Sequence, residues 1–217
     1  MDAKVIAKIL LDEKAVTLNP KEPYTYVSGI RSPIYCDNRV LTSAVAGRRT
    51  IYEAFVEKVK EINPEVIAGT ASSAISWAAW VADKLDKPMV YIRKAGKGYG
   101  KDKLIEGGNI NGKRVVVIED LVSTGGSSMN AVEACRAAGA VVDSMVAIFT
   151  YEFEKARLKF EEGKCQAYFL TNFTTLTQVA AENNFITQEE LALVQEWSKD
   201  PSGWGPKHGF PLGEKKN

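Results

Sequence analysis

Two adjacent carboxylates, Glu119 and Asp120, follow a run of apolar residues and precede a turn of hydroxyl residues and glycines. Such a pair can accept hydrogen bonds from two vicinal hydroxyls or hold a hydrated Mg²⁺. The turn at residues 123–127 reads STGGS, and its glycines, amides and hydroxyls suit a phosphate at the start of a helix. A diol site beside a phosphate cradle predicts a ribose 5-phosphate pocket. The alternative, an acidic strand end with an ordinary glycine turn, occurs in many α/β proteins.

The full string VVVIEDLVSTGGSS, residues 115–128, narrows the choice of ligand. A P-loop requires G-x-x-x-x-G-K-[ST], which the sequence lacks, and a dinucleotide fingerprint has its glycines at the first strand–helix turn without this acidic pair. The string closely resembles the phosphoribosyl-diphosphate signature of type I phosphoribosyltransferases. The resemblance implies that Asp120 is catalytic and that Ser123 contacts the base as well as the sugar. The residues it assigns to phosphoribosyl diphosphate are Glu119, Asp120, Leu121, Val122, Ser123, Thr124, Gly125, Gly126 and Ser127.

A basic, glycine-rich segment, RKAGKGYGKDKLIEGG, occupies residues 93–108. Five basic residues and one acid lie between Arg93 and Lys103, and the interspersed glycines disfavour a helix or strand. Concentrated positive charge on a mobile loop predicts a lid over a polyanionic ligand, whose closure excludes water from the site. The alternative is a solvated hairpin whose lysines maintain solubility.

The same segment resembles the catalytic loop of the orotate phosphoribosyltransferases, a branch of that family. Arg93, Lys94 and Lys97 fall on matching positions, and Tyr99 stands where the family usually has His. The resemblance implies that these four residues bind phosphoribosyl diphosphate and that Lys97 is catalytic. Tyrosine can donate a hydrogen bond to a phosphate but cannot carry a positive charge there. In the family this loop reaches into the neighbouring subunit, which implies a homodimer that shares loop 93–108 between its sites.

Two further segments resemble parts of the same branch. Residues 24–39, YTYVSGIRSPIYCDNR, are similar to its hood over the pyrimidine, which implies orotate binding by Ser28 and Arg31. A guanidinium group binds a carboxylate in a planar fork, although Arg31 could equally be a surface cation. Residues 69–76, GTASSAIS, resemble its pyrophosphate loop, and Glu152 stands near the position of an arginine found in some relatives. The residues implied for the pyrophosphate loop are Thr70, Ala71, Ser72 and Ser73.

The chain around these motifs alternates between strand and helix patterns. The predicted strands are residues 66–68, 89–92, 114–118, 141–149 and 165–170, with helical patterns over 51–62, 75–85, 129–135 and 151–162. Alternation of this kind predicts right-handed βαβ units on a parallel sheet covered on both faces. Because ligands bind at the carboxyl ends of the strands in such sheets, the motifs above are expected at that edge.

The predicted fold class is α/β, the type I phosphoribosyltransferase fold, with a mostly parallel central sheet flanked by helices and a small hood subdomain. A single domain, residues 1–217, is divided into a hood from residues 1–45 and helices within 171–200, and a core from 46–170. The glycine-, proline- and lysine-rich residues 201–217 are predicted to be a loose tail.

Bulk composition excludes several classes of function. The formal net charge of +1 argues against nucleic-acid and membrane partners, and no apolar run approaches the roughly 18 residues of a spanning helix. Three widely spaced cysteines predict reduced, buried thiols and a cytoplasmic protein. The single histidine, His208, excludes Ser-His-Asp catalysis and a multi-histidine metal site.

Together the resemblances imply a magnesium-dependent enzyme of pyrimidine biosynthesis. It would transfer the 5-phosphoribosyl group from phosphoribosyl diphosphate to orotate, giving orotidine 5'-phosphate and pyrophosphate, with Mg²⁺ held mainly by the substrate diphosphate rather than by protein ligands. One alternative is a phosphoribosyltransferase for a purine or uracil, which shares residues 115–128 but not the combination of residues 24–39 with the Arg-Lys-x-x-Lys pattern that begins at Arg93. A second is a regulator that binds phosphoribosyl diphosphate without catalysis.

Overall fold

The computed structural model describes residues 1–94 and 104–214, and these form two compact units. The first unit comprises Met1 and Val45–Leu170, and the second comprises Asp2–Ala44 and Thr171–Asn217. The division of the chain into a hood and a core stays a prediction.

The described residues contain eight α-helices, ten strands and a short 3-10 helix at Asn38–Thr42. The helices are α1 (Ala3–Asp12), α2 (Val45–Ile62), α3 (Ile75–Leu85), α4 (Gly126–Ala137), α5 (Glu154–Glu162), α6 (Phe173–Glu182), α7 (Gln188–Lys199) and α8 (Pro201–Lys207). The strands are β1 (Val16–Leu18), β2 (Tyr24–Thr25), β3 (Arg31–Ser32), β4 (Ile34–Cys36), β5 (Val66–Thr70), β6 (Met89–Ile92), β7 (Ile105–Glu106), β8 (Arg114–Val122), β9 (Val141–Thr150) and β10 (Gln166–Asn172).

The first unit is built on a six-stranded sheet with the order β10-β9-β8-β5-β6-β7. The pairs β5–β6, β5–β8 and β8–β9 are parallel, whereas β7 runs antiparallel to β6. Val115–Ile118 of β8 are buried without interruption, which requires cover on both faces of the sheet. Helix α3 packs against β5, and α4 packs against β8 and β9. The mostly parallel sheet flanked by helices confirms the predicted fold class.

Strand β8 extends further than its apolar run predicts. It was expected to end at Ile118, but pairing with β9 continues through Glu119↔Ala147 to Val122↔Thr150. The acidic pair therefore lies within the strand and not after it. Strand pairing uses backbone groups, so a neighbouring strand of sufficient length can hold polar residues in the ladder.

The second unit contains small antiparallel pairs, β1–β4 and β2–β3, and helices α1 and α6 pack against each other. Helix α7 begins at a capping box, in which Thr187 and Glu190 each bond the other's backbone N–H. The prediction of a loose tail from residue 201 is wrong for Pro201–Lys207, which form α8. Just before α8, the Asp200 side chain accepts a hydrogen bond from Gly203 N at 3.0 Å. Trp204 is 1% exposed, and its indole donates to the Leu193 carbonyl at 2.9 Å.

The structure also tests two predictions from composition, the buried thiols and the lack of an apolar run long enough to span a membrane. Cys135 and Cys165 are buried free thiols, as predicted, whereas Cys36 is only half-buried. Burial raises the pKa of the Cys165 thiol to about 11, so it stays protonated at neutral pH. Across residues 1–94 and 104–214, no helix combines the length and apolar character that crossing a membrane requires.

Candidate functional site

The two carboxylates lie near the C-terminal end of β8, beside the neighbouring strand β5. Glu119 is 7% exposed, and its Oε1 accepts from the Thr70 hydroxyl at 2.7 Å and from Asp120 N at 3.0 Å. Asp120 is half-buried, and its Oδ1 accepts from the Ser73 hydroxyl at 2.8 Å. Hydroxyls from the last residue of β5 and from the turn after it therefore hydrogen-bond both members of the pair.

Burial raises the pKa of Glu119 to about 8. The Asp120 carboxylate adds to this rise through a hydrogen bond and through charge repulsion, whereas the Thr70 hydroxyl lowers the pKa in part. Glu119 is therefore mostly protonated at pH 7. Removing a carboxylate from water disfavours its charged form, and a second carboxylate nearby has the same effect.

The STGGS turn follows β8, continues into the first residues of α4 and presents its hydroxyl residues to solvent. Gly125 has φ +73°, and a Cβ at this position would lie 3.2 Å from Ala156 Cα. Its positive φ and its close neighbour both favour glycine. Within the described ranges, α4 has no side-chain cap and no acidic residue in its first turn, an arrangement that suits an anion at its N-terminus. The exposed hydroxyl residues are Ser123, Thr124 and Ser127.

The segment predicted to bind pyrophosphate begins in the last two residues of β5, the neighbour of β8 in the sheet, and continues after the strand. A Cβ on Gly69 would lie 2.7 Å from Ala78 Cβ and 2.9 Å from the Ala74 carbonyl oxygen, so only glycine allows α3 to approach β5 this closely. Ser72 is exposed and Ala71 is half-buried. Sequence reasoning did not foresee that the hydroxyls of this segment bond the acidic pair.

The stem of the basic loop is a short hairpin. Strands β6 and β7 pair antiparallel, and Arg93 N donates to the Leu104 carbonyl at 2.8 Å. Arg93 and Lys94 are exposed, and Arg93 Nη1 lies 3.2 Å from Glu106 Oε1. An exposed pair of this kind contributes little to stability, so an anion can compete for the arginine. Lys97 and Tyr99 lie outside the described residues.

The residues expected at the base end lie in the second unit. Ser28 is exposed in a turn. Arg31 Nη1 donates to the Thr25 hydroxyl at 2.7 Å, and its Nε donates to the Pro211 carbonyl at 2.9 Å. These bonds within the unit fix the guanidinium group, and its role toward orotate stays a prediction. Glu152, in the first unit, has φ +59° and donates its backbone N–H to the Thr150 hydroxyl at 3.1 Å.

One strand of the mostly parallel sheet carries an acidic pair and leads into a glycine turn, and a hydroxyl-rich segment begins at the end of the neighbouring strand. Together these features define a type I phosphoribosyltransferase. In agreement, residues 41–174 match the phosphoribosyl transferase domain family. The fold is shared with the crystal structure of an orotate phosphoribosyltransferase from Aeropyrum pernix, at a TM-score of 0.73 and 24% identity. That match covers 84% of this chain and 99% of the other.

Curated relatives are more similar in sequence. The chain is 52% identical over 205 residues to the orotate phosphoribosyltransferase of Enterococcus faecalis, covering 94% of this chain and 98% of that protein. It is 49% identical over 204 residues to the enzyme of the same name from Listeria innocua, covering 93% and 98%. The chain belongs to the orotate phosphoribosyltransferases, which confirms the resemblance stated from its motifs.

Proposed function

We propose that this chain transfers the 5-phosphoribosyl group of phosphoribosyl diphosphate to orotate, forming orotidine 5'-phosphate and pyrophosphate in pyrimidine biosynthesis. The observation that carries the proposal is the placement of Glu119 and Asp120 on β8, two residues before the STGGS turn and hydrogen-bonded by Thr70 at the end of β5 and by Ser73 in the turn after it. The basic composition of residues 93–108 supports it independently, because pyrophosphate is a polyanionic leaving group.

The sugar end of the substrate would be held by β8 and the turn after it. Glu119 and Asp120 accept hydrogen bonds from the ribose hydroxyls, and residues 123–127 bind the 5-phosphate through amide and hydroxyl donors. Ser123 also contacts the base. This arrangement holds the ribose while the bond from C1 to pyrophosphate lengthens and the sugar acquires oxocarbenium character.

The diphosphate end would be held by two loops. Backbone amides of residues 70–73 bind the diphosphate, and the cations of the lid stabilise the charge that develops as pyrophosphate leaves with the electrons of the broken bond. Preorganised charges at such positions contribute about 3–4 kcal/mol each. A ring nitrogen of orotate then bonds C1 from the opposite face, loses its proton and inverts the centre. The lid residues proposed for this role are Arg93, Lys94, Lys97 and Tyr99.

Magnesium fits the donors at this edge of the sheet. Mg²⁺ is held in many enzymes by one or two carboxylates together with substrate phosphates, and the half-buried Asp120 carboxylate beside the Ser73 hydroxyl offers such oxygen atoms. When bound, the ion neutralises charge on the diphosphate. We propose that the substrate diphosphate supplies most of its ligands.

An assay of base specificity tests the proposal directly. Loss of orotate absorbance is expected when the enzyme is mixed with phosphoribosyl diphosphate and Mg²⁺, with no turnover of uracil, adenine or hypoxanthine. Turnover of a purine without turnover of orotate would contradict the assignment. Heat of binding to phosphoribosyl diphosphate without any turnover would favour the regulator.

A cytoplasmic location, with neither nucleic acid nor membrane as partner, completes the proposal and agrees with the net charge of +1.

A homodimer that shares loop 93–108 between its sites is also part of the proposal. In a 1:1 mixture of Lys97→Ala and Asp120→Asn chains, each mixed dimer would contain one intact site if the lysine acts in the partner's site. Random pairing in a two-fold dimer should then restore about one quarter of wild-type activity. The measurement is specific activity after unfolding and refolding the mixture together. Activity no higher than that of the separate variants would count against sharing.

A further inference from the structure

Helix α5 places a lysine beside the glycines of the STGGS turn. Ala156 and Lys159, nearly one helical turn apart, both face this turn. A Cβ on Gly125 would lie 3.2 Å from Ala156 Cα, and a Cβ on Gly126 would lie 3.0 Å from Lys159 Nζ. The ammonium group of Lys159 therefore lies at the first residue of α4.

This position is electrostatically unfavourable for a cation in the absence of an anion. The N-terminus of a helix carries a partial positive charge, which repels a nearby ammonium group. In the part of the chain that the structure describes, the first turn of α4 has no acidic residue and no side-chain cap to offset that repulsion. The turn and the lysine thus combine two positive elements around one point, where a phosphate would be attracted by both.

The acidic residues of α5 do not neutralise this lysine. Glu154 and Glu161 both pair with Arg157 on the same helix. Among residues 1–94 and 104–214, the Lys159 ammonium group has no ion-pair or hydrogen-bond partner. Lys159 does lie in the last turn of α5, where a cation favours that helix. That effect accounts for a lysine near the end of α5 but not for its approach to α4.

We propose that Lys159 is a binding residue for the 5-phosphate of the sugar. The proposal rests on the proposed function, which places a phosphomonoester at residues 123–127, and it adds a residue that no motif assigns to the site. Amides and hydroxyls in the turn supply neutral donors, and Lys159 supplies a full charge, whose hydrogen bonds are roughly twice as strong as neutral ones. Substrate and nucleotide product both carry the 5-phosphate, so Lys159 would bind the two equally and would not act on the bond that breaks.

Equal binding of the 5-phosphate in substrate and product predicts a specific kinetic effect. Loss of the lysine should raise KM for phosphoribosyl diphosphate and leave kcat nearly unchanged. Lys159→Ala is expected to weaken binding of phosphoribosyl diphosphate and ribose 5-phosphate about tenfold, and Lys159→Arg to retain most of the affinity. Lys155→Ala is the matched control, because Lys155 is exposed on the same helix about one turn earlier.

Calorimetry with Mg²⁺ and three probes tests the inference, with thermal unfolding of each variant to verify the fold. Phosphoribosyl diphosphate and ribose 5-phosphate contain the 5-phosphate, whereas pyrophosphate does not. Weaker binding of the first two probes by Lys159→Ala, with pyrophosphate and Lys155→Ala unchanged, would support the inference. Equal affinities for wild type and Lys159→Ala, or an equal loss for pyrophosphate, would overturn it. If wild type binds ribose 5-phosphate but not phosphoribosyl diphosphate, the proposed function fails while ribose 5-phosphate still reports on the lysine.

Discussion

Asp120→Asn is expected to lower kcat/KM about 100- to 1,000-fold, the cost of removing one well-placed electrostatic group from an active site. Asp120 is the member of the acidic pair that remains half-exposed, whereas Glu119 is buried. Its carboxylate is therefore the more accessible of the two to the ribose, and it can oppose positive charge on the sugar. Asparagine keeps the size and can still accept from the Ser73 hydroxyl, so the fold should persist. Steady-state consumption of orotate measures the loss.

The control for Asp120→Asn removes the same charge from the neighbouring strand. Asp143 lies on β9 and is exposed, and Asp143→Asn should leave kcat/KM within about twofold of wild type, as expected for a surface substitution. Thermal unfolding of both variants should match wild type closely. Equal activity of Asp120→Asn and Asp143→Asn would refute a catalytic role for Asp120.

Much of the first unit could be predicted because its sheet is buried on both faces. A short, continuous apolar run such as Val115–Ile118, bounded by polar and turn residues, is typical of a fully buried strand. The acidic pair and the glycine turn after this run are informative only through the full string of residues 115–128, because an acidic strand end with a glycine turn is common in α/β proteins. Residue type and spacing on β8 and its turn predict a ribose 5-phosphate pocket, and the family resemblance assigns the individual residues, whose roles stay predictions.

The remaining features depend on which elements are neighbours in space. The bonds from Thr70 and Ser73 to the acidic pair require β5 to lie beside β8, and strand order is not encoded in periodicity. Lys159 looks like one charged residue among several on an exposed helix until α5 is packed against α4. Helix α8 was missed because glycine, proline and lysine indicated a tail, whereas burial of Trp204 organises it.

The second large effect concerns stability and pH at Glu119. Its pKa is raised from an ordinary value of 4.5 to about 8, chiefly by burial. The unfolded chain therefore loses this proton at lower pH than the folded chain, and the stability that Glu119 contributes below pH 4.5 is lost as pH rises toward 8. At roughly 1.4 kcal/mol per pKa unit, the change amounts to a few kcal/mol.

Glu119→Gln should remove this pH dependence. Glutamine is neutral at every pH and keeps an oxygen that can accept from the Thr70 hydroxyl, so the variant should lose less free energy of unfolding than wild type between about pH 5 and pH 8. Thr70→Val should instead enlarge the loss of unfolding free energy as pH rises. The Thr70 hydroxyl lowers the pKa of Glu119, so its removal should raise that pKa further. Thr70→Ser is its matched control, since serine retains the hydroxyl. Urea unfolding at pH 5, 6.5 and 8 gives the free energies.

Glu119→Gln should weaken the enzyme's binding of its substrate while stabilising its fold. Above pH 8 wild type presents two carboxylates to the ribose hydroxyls, whereas Glu119→Gln presents one, so its affinity for phosphoribosyl diphosphate should fall short of wild type most clearly at high pH. Near pH 6 the wild-type side chain is itself protonated, and the two proteins should bind alike. A Glu119→Gln protein with an unchanged pH profile of stability would show that Glu119 ionises in the folded chain at an ordinary pH. A variant that is stabilised at pH 8 yet binds the substrate as wild type does would show instead that the buried carboxylate is not a ligand of the sugar.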